Sequence, residues 1–205
     1  MTKPAFTFPG QGSQAVGMGH DLAQAYPQAR AVFEEVDDAL GVALSKIMFE
    51  GPEDTLRLTE NAQPALMAAS IAVIRVLKAN GVTVADAASY VAGHSLGEYS
   101  ALCAAGTFSL ADTARLLQTR GRAMQQAVPV GQGAMAAILG LEMDAVREIA
   151  ASAAEGSVCD VANDNSPGQV VISGDASAIE RAMELAKARG AKRALPLPVS
   201  APFPC

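Results

Sequence analysis

The chain has 205 residues, half of them hydrophobic but only 4% aromatic, and its formal net charge is -6. This length suits one domain, or one larger body that carries a small one, with a core of small aliphatic side chains. The negative charge argues against nucleic acid as a partner.

Composition also indicates the compartment. Cys103, Cys159 and Cys205 are widely spaced and form no C-x-x-C pair, which fits a reducing compartment better than a disulfide framework or a zinc site. The longest apolar stretch, residues 65–74, is well short of the roughly 20 residues that a membrane span needs. The N-terminal MTKPAFTFPG lacks the apolar run of a signal peptide. We therefore expect a cytoplasmic protein with no membrane partner and no metal site.

Strands and helices alternate in the first part of the chain. Residues 5–8 are predicted as a short buried strand, and the glycine-rich run GQGSQAVGMG follows from Gly10. Apolar residues at helical spacing predict helices over residues 27–40 and 62–79.

A second strand and further helices follow. Residues 89–92 have the composition of a strand, and Ser109-Leu-Ala-Asp112 is a capping box that opens a helix reaching residue 127. The strands are apolar on both faces, which is typical of a parallel sheet covered by helices. The first part of the chain is therefore predicted to be an α/β fold.

The composition shifts at Pro129-Val-Gly-Gln-Gly133, which we interpret as a hinge. Strand, helix, strand, strand, helix and strand are predicted after it, over residues 134–139, 143–154, 158–162, 170–173, 176–189 and 193–197. This β-α-β-β-α-β order is the ferredoxin-like, or split βαβ, unit. The polar run 163–168 is predicted to be the turn between its middle strands.

We therefore divide the chain into three segments. Residues 1–130 are predicted to form a large α/β subdomain, and residues 131–198 a ferredoxin-like subdomain inserted into it. Residues 199–205 are expected to return to the large subdomain.

The pentapeptide Gly93-His94-Ser95-Leu96-Gly97 lies between a predicted strand and a predicted helix. Small residues two positions before and after a serine permit the sharp turn called a nucleophile elbow, which exposes the hydroxyl above a sheet at a helix N-terminus. A simpler interpretation is that the glycines serve a tight turn and Ser95 is an N-cap. A reactive serine also needs a base and an oxyanion hole. The glycine-rich residues 8–14 could supply backbone N–H groups to such a hole.

Six blocks of sequence resemble the malonyl-CoA:acyl carrier protein transacylases and the related acyltransferase domains of fatty acid and polyketide synthases. They keep the family's order along the entire chain: FPGQGSQ (8–14), NAQPAL (61–66), AGHSLGEYSAL (92–102), QTRGRAMQ (118–125), NSPGQVVISG (165–174) and LPLPVSAPF (195–203). The resemblance implies an acyltransferase-type, hydrolase-like parallel sheet with the ferredoxin-like insert.

The same resemblance assigns roles to particular residues. Ser95 would be the nucleophile, and the backbone N–H groups of Gln11 and Leu96 would form the oxyanion hole. Arg120 would grip the free carboxylate of malonate, which a planar guanidinium does better than a lysine. Further substrate-binding residues would be Gln63, His94, Asn163 and Asn165.

The implied reaction moves malonyl from malonyl-CoA to the phosphopantetheine thiol of acyl carrier protein, in fatty acid biosynthesis. It needs no cofactor, since malonyl-CoA is a substrate. A basic group could dock the acidic carrier protein or be an ordinary solvated face: Arg181, Lys187, Arg189, Lys192 and Arg193.

The base is where this sequence departs from the family. Pro204 occupies the position that the resemblance assigns to the basic histidine, and the family's domain continues beyond the position of Cys205. His20 and His94 are not ready substitutes, so we expect impaired turnover. The alternative is a non-catalytic remnant that binds coenzyme A thioesters or carrier protein. A serine esterase is disfavoured, because it needs a histidine downstream of Ser95.

Overall fold

A computed structural model describes residues 4–129, 131–197 and 202–203. The chain divides into two compact units, Met1–Ala123 and Met124–Cys205. The division falls a few residues before the hinge predicted at 129–133. The predicted three-segment organisation, with an insert and a return segment, stays a prediction.

The first unit is an α/β structure. Its elements are β1 (Ala5–Phe8), α1 (His20–Ala25), α2 (Pro27–Leu40), α3 (Leu44–Glu50), α4 (Glu53–Arg57), α5 (Thr59–Ala79), α6 (Val84–Ala87), β2 (Tyr90–Gly93), α7 (Leu96–Ala104) and α8 (Leu110–Ala127), the last of which runs past the division. β1 and β2 pair in parallel, with Phe8 opposite Gly93. The predicted α/β class with a parallel sheet is confirmed. Since parallel strands end at the same edge, the chain leaves β1 and β2 side by side.

Helix α5 is the centre of the first unit's core. Its buried Met67 and Ile71 belong to one apolar cluster with Val36 of α2 and Leu117 of α8. It begins at Thr59, earlier than the predicted start at residue 62. Its first residue lies beside the loop that follows β1, since Oγ1 of Thr59 is 3.5 Å from Nε2 of Gln11.

Within the described ranges, α5 is also the one helix long and apolar enough to cross a membrane. However, 56% of its most apolar window is buried inside the protein. This degree of burial is expected of a core helix, so length and composition are weak reasons to place it in a membrane.

The second unit contains one antiparallel sheet with two helices packed against it. Its elements are β3 (Gly133–Leu139), α9 (Met143–Ala154), β4 (Cys159–Ser166), β5 (Gln169–Asp175), α10 (Ala176–Ala188) and β6 (Arg193–Pro196). The strands lie in the order β4-β5-β3-β6. Their sequence with the helices is the predicted β-α-β-β-α-β.

One predicted boundary in this unit is wrong. Residues 163–166 belong to β4, and only Pro167 and Gly168 remain between β4 and β5. The register shifts between Val161 and Asn163 and again between Asp164 and Ser166. These irregularities let a polar stretch continue the ladder, which turn propensity alone does not reveal.

Candidate active site

Ser95 lies between β2 and α7 in a backbone conformation that residues other than glycine rarely adopt. Its φ and ψ are 55° and -114°, and it occupies the N-cap position of α7 without making a side-chain cap hydrogen bond. The alternative interpretation, in which the Ser95 hydroxyl caps the helix, is therefore wrong. Backbone strain of this kind costs about 1–3 kcal/mol and is typical of functional sites. Ser95 is exposed, so its hydroxyl is accessible.

This turn requires glycine at two positions, because backbone atoms lie where a Cβ would be. A Cβ at Gly93 would overlap the backbone of Gly97, on the first turn of α7. A Cβ at Gly97 would overlap the carbonyl of Phe8 and lie 2.9 Å from the carbonyl oxygen of Pro9. The spacing of glycine around Ser95 thus reflects close contact between strand, helix and loop.

Arg120 connects Ser95 to the core helix. Its Nη1 donates to Oε1 of Gln63 at 2.7 Å, and its Nη2 donates to Oγ of Ser95 at 2.9 Å. Its guanidinium carbon lies 5.9 Å from the centre of the Tyr99 ring. Gln63 is fully buried, whereas Arg120 is half-buried. A cation is thereby held at the exposed hydroxyl, with one of its partners anchored in the core.

The residues predicted to form an oxyanion hole lie on the two segments that leave the sheet together. Leu96 is the first residue of α7, and its side chain is buried. Gln11 follows β1, and its Nε2 lies 3.5 Å from Oγ1 of Thr59, at the start of α5. Neither backbone N–H donates to another residue within the described ranges. Their role as an oxyanion hole stays a prediction.

Neither histidine of the chain bonds to the nucleophile in the described residues. The ring of His94 occupies the space beside Gly10, and its backbone N–H donates to Phe8. His20 begins α1, where its ring lies 5.2 Å from the ring of Phe49 and its Nε2 lies 3.1 Å from Nε2 of Gln24. Neither imidazole is therefore positioned to accept the proton of the Ser95 hydroxyl.

Other predicted positions lie elsewhere. Asn163 and Asn165 are on β4 of the second unit, and their substrate-binding role stays a prediction. Pro204, the position assigned to the missing base, lies outside the described residues.

Three of the five residues in the predicted basic group form ion pairs within their own unit. Arg181 pairs with Glu155 and also donates to the carbonyls of Ala153 and Ala154. Lys187 and Arg189 form ion pairs with carboxylates. These contacts favour an ordinary solvated surface over a docking face.

Three residues near this site had no assigned role in the sequence analysis. Thr59 and Glu60 precede the NAQPAL block and form the start of α5, which sequence patterns place three residues later. Tyr99 follows Ser95 by four residues, a helical spacing that places it one turn along α7.

Comparison with known proteins bears directly on this arrangement. The model of the acyl transferase domain family matches residues 5–200. The chain belongs to this family. The match covers both units and includes Ser95, Arg120 and Gln63.

Two relatives with the same name match this chain over almost its entire length. The malonyl CoA-acyl carrier protein transacylases of Escherichia coli K12 and Bacillus subtilis are 52% and 51% identical to this chain, over 100% and 99% of its length. The chain spans 65% and 63% of those two proteins.

Two solved structures of malonyl-transferring enzymes superpose closely on this chain. The acyl-carrier-protein S-malonyltransferase of Bartonella henselae superposes with a TM-score of 0.95 at 63% identity, covering 99% of this chain and 64% of that one. A malonyl-transacylase solved in complex with its type II polyketide synthase acyl carrier protein superposes at 0.94 with 48% identity, covering 98% of this chain and 64% of that one.

Proposed function

We propose that this chain carries out malonyl transfer from malonyl-CoA to acyl carrier protein through an ester on Ser95. The observation that carries the proposal is the exposed Ser95 hydroxyl on a strained turn, 2.9 Å from an arginine N–H. The transfer would serve fatty acid biosynthesis in the cytoplasm.

Two half-reactions share the serine. In the first, Oγ of Ser95 attacks the thioester carbonyl, the carbon–sulfur bond breaks, and the serine proton goes to the sulfur of coenzyme A. In the second, the phosphopantetheine sulfur attacks the ester, the bond to Oγ breaks, and the thiol proton returns to Ser95. The N–H groups of Gln11 and Leu96 would stabilise the oxyanion in both steps. We therefore expect ping-pong kinetics.

Arg120 would select the acyl group. A malonyl ester on Ser95 carries a free carboxylate only a few bonds from Oγ, within the reach of a guanidinium that already contacts that oxygen. The carboxylate would replace Oγ as the acceptor of the Nη2 hydrogen bond, while Gln63 keeps Nη1. A charged acceptor forms the stronger bond, so malonyl is favoured over acetyl.

The names of the relatives support this choice of substrates. Two relatives about half identical to this chain are malonyl CoA-acyl carrier protein transacylases. A structure of such an enzyme contains its carrier protein. For this chain, which spans less than two thirds of their length, both substrates are proposals.

We expect slow turnover because no histidine bonds to Ser95 in the part of the chain that the structure describes. Pro204 stands where the family resemblance expects histidine, and neither His20 nor His94 bonds to Ser95. Absence of a general base costs about 10² to 10⁴ in rate. The same observation favours a second candidate, a protein that binds coenzyme A thioesters or carrier protein without catalysis.

Intact-mass spectrometry after incubation with malonyl-CoA separates the two functions. The proposed transferase gains one malonyl group, and Ser95→Ala gains none. Addition of carrier protein bearing phosphopantetheine then removes the group. Binding of malonyl-CoA with no mass gain over prolonged incubation would leave only the non-catalytic function.

A further inference from the structure

Helix α8 lies against the first turn of α5 at Gly121, the residue after Arg120. A Cβ at Gly121 would lie 2.6 Å from Cα of Glu60 and 2.7 Å from the carbonyl oxygen of Thr59. Both atoms belong to backbone, which cannot rotate away as a flexible side chain can. Any side chain at residue 121 would therefore push α8 away from α5.

An ion pair adjoins this contact. Nε of Arg122 lies 2.8 Å from Oε2 of Glu60, and the two side chains are 54% and 33% exposed. A partly exposed pair contributes only about 0–1 kcal/mol to stability. It joins α8 to α5 at a second point, beside the contact at Gly121.

Arg120 precedes both contacts on the same helix. Successive helical side chains point in different directions. Contacts at residues 121 and 122 therefore fix the backbone of α8, and with it the position from which the side chain of Arg120 extends. That guanidinium bonds to Gln63 of α5, the helix that Gly121 and Arg122 contact. Placement of α8 on α5 therefore sets the distance from Arg120 to Ser95.

We propose that Gly121, assisted by the Glu60–Arg122 ion pair, is a positioning residue that holds Arg120 between Gln63 and Ser95. The proposal rests on the proposed function, in which Arg120 binds the malonyl carboxylate. Misplacement of a binding group by about 1 Å can cost 10²-fold in rate. Misplacement of Arg120 should lower the selectivity for malonyl over acetyl, because acetyl has no carboxylate for Arg120 to bind.

The kinetic test compares Gly121→Ala with Thr119→Ala, which alters an exposed residue on the same helix. Acylation of Ser95 by malonyl-CoA and by acetyl-CoA is followed by intact mass, and circular dichroism verifies folding. We expect the malonyl-to-acetyl rate ratio to fall at least about tenfold in Gly121→Ala and to stay unchanged in Thr119→Ala. Loss of the ion pair in Glu60→Gln should lower the ratio by about two- to fivefold.

Crystal structures of the variants provide a second readout that needs no activity. We expect the Arg120 Nη2 to Ser95 Oγ distance to exceed hydrogen-bonding range in Gly121→Ala and to remain in range in Thr119→Ala. A folded Gly121→Ala protein that retains both this distance and the wild-type ratio overturns the proposal. If Gly121→Ala does not fold, Glu60→Gln is judged by the same two measurements, and a distance and a ratio that both equal the wild-type values overturn the proposal. Wild-type protein that is never acylated refutes the proposed function, whereas the crystallographic distance still decides the role of Gly121.

Discussion

Nη2 of Arg120 donates a hydrogen bond to Oγ of Ser95 across 2.9 Å, although 25 residues separate the two in sequence. The same guanidinium donates to the buried Gln63. A cation fixed beside a hydroxyl stabilises negative charge on that oxygen and on an acyl group attached to it. This pair of residues therefore links the reactivity of Ser95 to its choice of acyl group.

Replacement of Arg120 by alanine should impair malonyl transfer far more than acetyl transfer. A hydrogen bond to a charged group is worth about 1.5–3 kcal/mol, so we expect a loss of about 10- to 150-fold in kcat/KM for malonyl-CoA. Acetyl-CoA should be affected only a few-fold. Initial rates with both thioesters measure the difference, and equal losses would remove the carboxylate-binding role.

Substitution of Gly97 by alanine should destabilise the elbow. The added methyl group would overlap the carbonyl of Phe8, and such overpacking costs about 1–3 kcal/mol. Thermal denaturation should show a lower Tm, together with slower acylation of Ser95. Gly106→Ala is the matched control, since Gly106 has φ of 82° but open space around it, and it should slow acylation little. Equal acylation rates in the two variants would contradict the steric role of Gly97.

Introduction of histidine at position 204 should restore a general base. The family resemblance places the base there, and such a group contributes about 10² to 10⁴ in rate. In Pro204→His, the acylation rate should rise with pH through about 6.5, as the imidazole loses its proton. The wild-type protein should lack this step. A pH-rate profile of each protein makes the comparison, and a rate unchanged by the substitution would contradict the assignment.

Cys103 should be an unreactive thiol at neutral pH. Burial raises the pKa of Cys103, and this outweighs the opposing hydrogen bond with Thr113. Because the thiolate is the reactive form, alkylation should be slower than in the unfolded chain and should accelerate only at higher pH than for a free thiol. Peptide-level mass spectrometry after iodoacetamide treatment measures the rate. Labelling of Cys103 as fast in the native as in the denatured protein would contradict this environment.

Local sequence determined much of the fold. The helices over 27–40 and 143–154 have the predicted bounds, because apolar residues repeat there at helical spacing, and the first of them also begins at Pro27 and ends before Gly41. The need for glycine at residue 93 is equally local, since a Cβ there would overlap the backbone of Gly97, whereas the need for glycine at residue 97 comes from the distant Phe8. Short helices such as α3 and α4 were not predicted. They have too few residues to show a period, and packing of Leu44 and Leu56 in the core stabilises them.

Only the tertiary structure decided which residues meet at Ser95. Gln63 lies 57 residues from Arg120 in sequence, and their contact depends on how α8 packs on α5. The sequence by itself named Ser95, Gln63 and Arg120 through resemblance to a family, and local sterics require glycine at residue 93 of the sharp turn. Distances between these side chains follow from packing between helices that are remote in sequence, and no local pattern specifies that packing.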